Sequence, residues 1–126
     1  MNWHADVLIV TATKVESKAI FEGIGGLGGN TPKPVPIGDQ TYQDLGVVNG
    51  ARVFLVQSEM GSAGLGASLL TIKKGIDDLS PSAVIMAGIA FGIDSRTQSI
   101  GDVLVSKQLM LYDLQRVGTE DGKFKL

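Results

Sequence analysis

The chain has no cysteine and one histidine, His4. Without cysteine there is no disulfide framework, no thiolate nucleophile and no cysteine-zinc cluster, and one histidine cannot build a multi-histidine metal site. His4 beside Trp3, ahead of the first apolar run, reads as a partly exposed terminal residue with no catalytic role. No metal and no other cofactor is expected. Long apolar runs are also missing: the longest, Ala83 to Ile93, contains glycines and falls far short of the ~20 residues a spanning helix needs, so no membrane partner is expected. No cationic leader precedes it, which predicts no signal peptide and a cytoplasmic protein. With 11 Lys and Arg against 13 Asp and Glu, the net charge of −2 provides no basic surplus for phosphates, and nucleic acid is not an expected partner.

What is present suits one globular domain: 126 residues, 44% of them hydrophobic. The first strand is Asp6 to Thr11, a β-branched apolar run, and a helix over Thr13 to Ile24 follows almost at once. Val15, Ala19, Ile20 and Ile24 recur at helical spacing as its packed face, with Lys14, Glu16, Ser17 and Lys18 toward the other side or the helix start. Thr13-Lys14-Val15-Glu16 has the pattern of a capping box, in which threonine and glutamate side chains satisfy free N–H groups at the helix start.

Glycine is abundant, 17 of 126 residues, roughly twice the ordinary ~7%. Gly23 to Gly28 satisfies G-x-G-x-x-G, but it follows a helix where a dinucleotide motif must lie between strand and helix, so that reading is rejected. With Asn30, Pro32, Pro34 and Pro36 it reads as a helix stop and a connecting loop. Thr41 to Val48, then Asn49-Gly50, then Ala51 to Gln57 predicts an antiparallel hairpin, hence a mixed sheet. Ala63 to Lys74 reads as a second helix, with Gly64, Gly66 and Ala67 forming a small face for close packing or for a ligand.

Ala83 to Ala87, introduced by Ser80-Pro81-Ser82, reads as a strand covered on both faces, central and buried. Gly88 and Gly92 stop it at the sheet's carboxyl edge, where ligands of open α/β sheets gather. Asp102 to Ser106 reads as another strand that Leu109 to Tyr112 extends. Thr119 to Lys125 is patternless and reads as a loop or frayed tail.

Gly88-Ile89-Ala90-Phe91-Gly92-Ile93-Asp94, followed by Ile100-Gly101-Asp102-Val103-Leu104-Val105-Ser106, resembles the central signature of the nucleoside phosphorylase and nucleosidase superfamily, nearest to the 5′-methylthioadenosine/S-adenosylhomocysteine nucleosidases. Val7 to Glu16 and Ser58 to Leu70 support the resemblance in the right order. It covers most of this chain and only the family's amino-terminal half. It implies a three-layer αβα fold with a mixed central sheet, phosphorylase/hydrolase-like and truncated, with residues 1–126 forming the amino-terminal part of one domain. The implied activity is cleavage of a purine N-ribosidic bond by water, with two proton-transfer roles that each contribute typically ~10²–10⁴-fold.

The resemblance also assigns residues. Glu16 would face the ribose and help position or activate the attacking water, a role that competes with capping for the same carboxylate. Ala12, Thr13, Met60, Gly61, Ile89, Ala90, Phe91 and Gly92 would line the purine nucleoside. Leu109, Met110, Leu111 and Tyr112 would form a homo-oligomer interface, with ordinary core burial as the alternative. The family's leaving-group acid and its ribose-gripping Met-Glu pair lie in the half that is absent, so the fragment is expected to be inactive. Asp94, Asp113 and Asp121 match none of these and read as turn or capping residues, and Arg96 reads as a solvated loop residue.

Phosphorylases of the superfamily carry an arginine and a hydroxyl residue where this sequence has Met86 and Ile89, which favours water as acceptor. Phosphorolysis is one alternative. The other is a degenerate nucleoside-sensing or oligomerising module of a larger signalling protein, which Ile89 and Phe91 make credible.

Overall fold

In the computed structural model the run Val7–Thr11 forms strand β1, which has a parallel neighbour on each side. Residues 3–28, 30–58, 65–89, 94–107, 118–120 and 123–125 are described, and the chain divides into two compact units, Met1–Ile89 and Ala90–Leu126. The first unit is a small α/β domain. In chain order it runs β1, α1 (Lys14–Gly26), β2 (Lys33–Ile37), β3 (Gln40–Val48), β4 (Ala51–Gln57), α2 (Leu65–Leu79) and β5 (Ala83–Met86). The sheet order is β2-β3-β4-β1-β5, with β2, β3 and β4 antiparallel and β4, β1 and β5 parallel, so the sheet is mixed.

Strand alternation sorts the apolar side chains to two faces. Leu8 and Val10 join Tyr42, Phe54, Val56 and Leu79 on one face, with Ile72 of α2 packed against them. Ile9 joins Leu45, Val53 and Leu55 on the other, covered by Ile20, Phe21 and Ile24 of α1. One helix thus serves each face. The Tyr42 hydroxyl donates to Asp78 Oδ2 (2.6 Å) and accepts from Gln40 Nε2 (2.8 Å), tying β3 to α2. Burial first, and the Asp78 carboxylate second, push its phenol well above the usual range.

The hairpin forms as read. Asn49 and Gly50 both have positive φ, 50° and 84°, the requirement of a tight two-residue turn whose twist matches that of the strands. A bulge between Asp44 and Val47 shifts the register, with Gly46 at φ 84° and its N–H bound to Asp44 Oδ1 (2.9 Å).

Several expectations are corrected. The proline-bearing stretch is a strand, β2, rather than a loop: Pro34 and Pro36 sit two apart on an edge strand, where a missing N–H faces away from the ladder. Helix α2 continues to Leu79, past the expected end at Lys74. The strand beginning at Ala83 is neither central nor buried among the described residues, since it pairs only with β1, and Ile85 and Met86 are 50% and 58% exposed. On α1, Val15 and Ala19 are exposed while Ser17 is buried, so the packed face is Ser17, Ile20, Phe21 and Ile24.

In the second unit, Asp94 organises a turn: its Oδ1 accepts from the Arg96 backbone N–H (3.0 Å) and its carbonyl from Thr97 N–H (3.1 Å), while the Arg96 side chain is largely exposed. The expected strand Asp102 to Ser106 is not formed. Its residues are exposed and have no ladder partner among the described residues, and an apolar run alone does not make a strand without one. The expected tail instead holds two short antiparallel strands, β6 (Gly118–Glu120) and β7 (Lys123–Lys125). Leu109 to Tyr112, Asp113 and Asp121 lie outside the described residues.

Helix α2 makes a close backbone approach at Gly75, where an added Cβ would stand 2.5 Å from Cδ2 of the fully buried Leu8. Gly23 in α1 has nothing within 4 Å of the same position. Replacing glycine by alanine inside a helix is favourable by about 1 kcal/mol on propensity alone. Gly23→Ala is therefore expected to stabilise the chain by about 0.5–1 kcal/mol, and Gly75→Ala to destabilise it by about 1–2 kcal/mol because overpacking outweighs propensity. Urea unfolding midpoints of the two variants would check the opposite signs.

Candidate functional site

The three parallel strands β4, β1 and β5 end at one edge of the sheet. Thr11 is in register with Gln57, and Val10 with Met86. The segments that follow stay close: Ser58 N–H donates to the Thr11 carbonyl (2.8 Å), and Ala87 N–H to the Val10 carbonyl (3.0 Å). Carboxyl ends of parallel strands are where loops from separate segments can converge on a ligand.

Thr13 is the N-cap of α1, in extended conformation at φ −137° and ψ 160°, and both halves of the capping box are made. Thr13 Oγ1 accepts from Glu16 N–H (3.2 Å), and Glu16 Oε1 accepts from the N–H groups of Ala12 (3.0 Å) and Thr13 (3.1 Å). The second carboxylate oxygen does something a cap does not require. Glu16 Oε2 accepts from Ile89 N–H (3.1 Å), joining the helix start to the segment after β5, 73 residues on. Gly88 permits this approach, since a Cβ there would lie 3.1 Å from the same oxygen.

Burial works to raise the Glu16 pKa, but the N–H groups of Ala12 and Ile89 and both Thr13 donors outweigh it, leaving the carboxyl below its ordinary value. Such a group is a poor proton acceptor and a persistent anion. Three of its roughly four acceptor directions are occupied, and the remaining one is on the Oε2 side.

Next to it runs a hydroxyl network that sequence reasoning missed. Ser17 donates to Gln57 Oε1 (3.0 Å), so its one proton is spent and Thr11 Oγ1 is the donor in the 2.7 Å contact with Ser17. Ser58 Oγ donates to the Thr11 carbonyl (3.2 Å) and lies 3.4 Å from Ser68 Oγ. The available signal was Ser17 lying three, four and seven residues before Ile20, Phe21 and Ile24, a polar residue in phase with the packed stripe.

Of the residues singled out from the sequence, Ala12, Thr13, Glu16 and Ile89 come together here, with the Ile89 side chain 80% exposed. Met60, Gly61, Ala90, Phe91 and Gly92 lie outside the described residues. His4, at the amino end of β1, faces Asp6 at 3.4 Å. Among the described residues no three His, Cys, Asp or Glu side chains gather as a metal site, and no helix is long and apolar enough to cross a membrane. No protein-family model, curated protein or solved structure matches the chain.

The Glu16 link to Ile89 has a pH signature. A carboxyl with a depressed folded-state pKa contributes stability that is fully present above its unfolded value, 4.5 here, and is lost as pH falls through the lower folded value. The Ile89 amide resonance in a ¹⁵N spectrum is expected to titrate with a midpoint below 4.5. The difference in melting temperature between the wild type and Glu16→Gln should persist above that pH and shrink below it.

Proposed function

We propose that the chain is the amino-terminal half of a three-layer αβα, phosphorylase/hydrolase-like domain, and that its parent hydrolyses the N-ribosidic bond of a purine nucleoside such as methylthioadenosine or adenosylhomocysteine. The observation that carries this reading is the Glu16 carboxylate, held ionised at the carboxyl edge of the parallel strands and shared between the β1–α1 junction and Ile89. In the reaction a water oxygen attacks the anomeric carbon while the carbon–nitrogen bond breaks and the base departs, with positive charge developing on the sugar. An anion fixed beside that carbon would stabilise the charge and orient the water through its remaining lone pair. Its low pKa suits orientation and electrostatic stabilisation better than full proton removal.

The nucleoside-sensing alternative is favoured by one observation. Ile89 presents an exposed apolar side chain where a hydroxyl would help hold the water. Assembly is part of the proposal: Leu109, Met110, Leu111 and Tyr112 serve as a homo-oligomer interface, and the apolar edge of β5, unpaired among the described residues, gives a half-domain further cause to self-associate.

The isolated chain is expected to release no adenine from either nucleoside. In a longer parent, Glu16→Gln should lower kcat roughly 10²-fold while lowering the melting temperature at neutral pH only modestly, because glutamine can still complete the capping box and loses only the charge on the link to Ile89. Equal turnover by the variant at saturating nucleoside would reduce Glu16 to a cap, and nucleoside binding without turnover in the parent would select the sensing reading. Light scattering should show dimers or larger species at high concentration, and a strictly monomeric chain would count against the interface.

A further inference from the structure

A groove of about 410 Å³ lies between α1 and the face of the sheet formed by β3 and β4. Its floor is apolar: Leu55 is fully buried and Phe21 is half-buried beside it. Lys14 and Lys18 stand on its helical side, four residues apart and therefore on one face of α1. Both are exposed, and neither forms an ion pair among the described residues. Among the described residues no carboxylate lines the groove. The remaining walls are neutral and polar, and include Gln57, whose Oε1 is occupied by Ser17, leaving its NH₂ group as a donor.

Two further facts bear on what would fit. Lys14 is the first residue of α1, where the helix already carries partial positive charge, and the Glu16 carboxylate of the same turn is engaged by the backbone N–H groups of Ala12, Thr13 and Ile89 rather than by either lysine. Two lysine point charges could meet a phosphate or a carboxylate, but the described lining has no arginine fork for several phosphate oxygens, and its aromatic and aliphatic floor favours an anion carried on a flat apolar body. The nucleosides proposed above have no anion on the purine-ribose unit and would not need two lysines there, so this site does not rest on that reading.

We propose that this groove binds a small aromatic carboxylate, with the ring system over Leu55 and Phe21 and the carboxylate between Lys14 and Lys18. The volume is in the range of small-molecule sites, roughly 300–1,000 Å³, and the combination of apolar floor and few convergent polar groups is the usual composition of one.

The test uses the full ¹⁵N-labelled chain at low salt, titrated with 2-naphthoate and with the neutral 2-naphthamide. Naphthoate is expected to shift amides of residues 14–21 together with Leu55 and Gln57, at least tenfold more tightly than naphthamide. The double variant K14Q/K18Q should bind naphthoate no better than naphthamide. K73Q, at an exposed lysine of α2, should leave binding unchanged. Equal affinity for the two probes, shifts clustered on β5, an equal loss in K73Q, or no shifts at millimolar probe would each overturn the proposal. The comparison of the two probes on the wild-type chain stands even if the double variant folds poorly.

Discussion

Everything in the first unit hangs on β1 having a strand on both sides. All five of its residues pair with β4 and four of them with β5, and successive side chains feed opposite faces, so the same segment anchors the Tyr42–Phe54–Leu79 cluster and the Leu45–Val53–Leu55 cluster. A buried strand that satisfies all its backbone groups while contributing to two apolar clusters is the cheapest way for a small chain to make a core. It also sets where chemistry can occur. Because β4, β1 and β5 run parallel, their following segments all emerge at one edge, and Glu16 can reach from one to another.

Glu16 is where local and long-range structure meet in one side chain. Its Oε1 closes a capping box that any S/T-x-x-E sequence could form, while its Oε2 accepts a hydrogen bond that depends on β5 lying next to β1. Capping and a site role are therefore compatible, because the carboxylate divides them between its oxygens. The same division accounts for its lowered pKa, since more donors converge on the anion than capping alone supplies.

Much of this fold is legible in the residues wherever the signal is local. Asn49-Gly50 dictates a turn that needs positive φ at both positions, and Thr13 with Glu16 dictates the start of α1. The assignments that fail are those that depend on a neighbour. Pro34 and Pro36 look like loop residues until the edge position of β2 makes their missing N–H groups harmless. Val103, Leu104 and Val105 look like a buried strand, yet are exposed and without a ladder among the described residues. The phase of α1 is misjudged because a serine is assumed to face water, whereas Thr11 and Gln57 satisfy Ser17 in the interior.

The sequence by itself determined the β1–α1 junction, the hairpin and the mixed sheet it implies, because turn sterics, capping and alternation act within a few residues. Tertiary structure alone decided that the Ala83–Met86 strand stands at an edge of the sheet among the described residues and that β2 pairs as a strand. It also decided that Gly75 is a close approach on α2, and that Glu16 spans 73 residues to Ile89. Each of these is a distance between segments far apart in the chain, set by which faces and edges pair. No short window of residues carries that information.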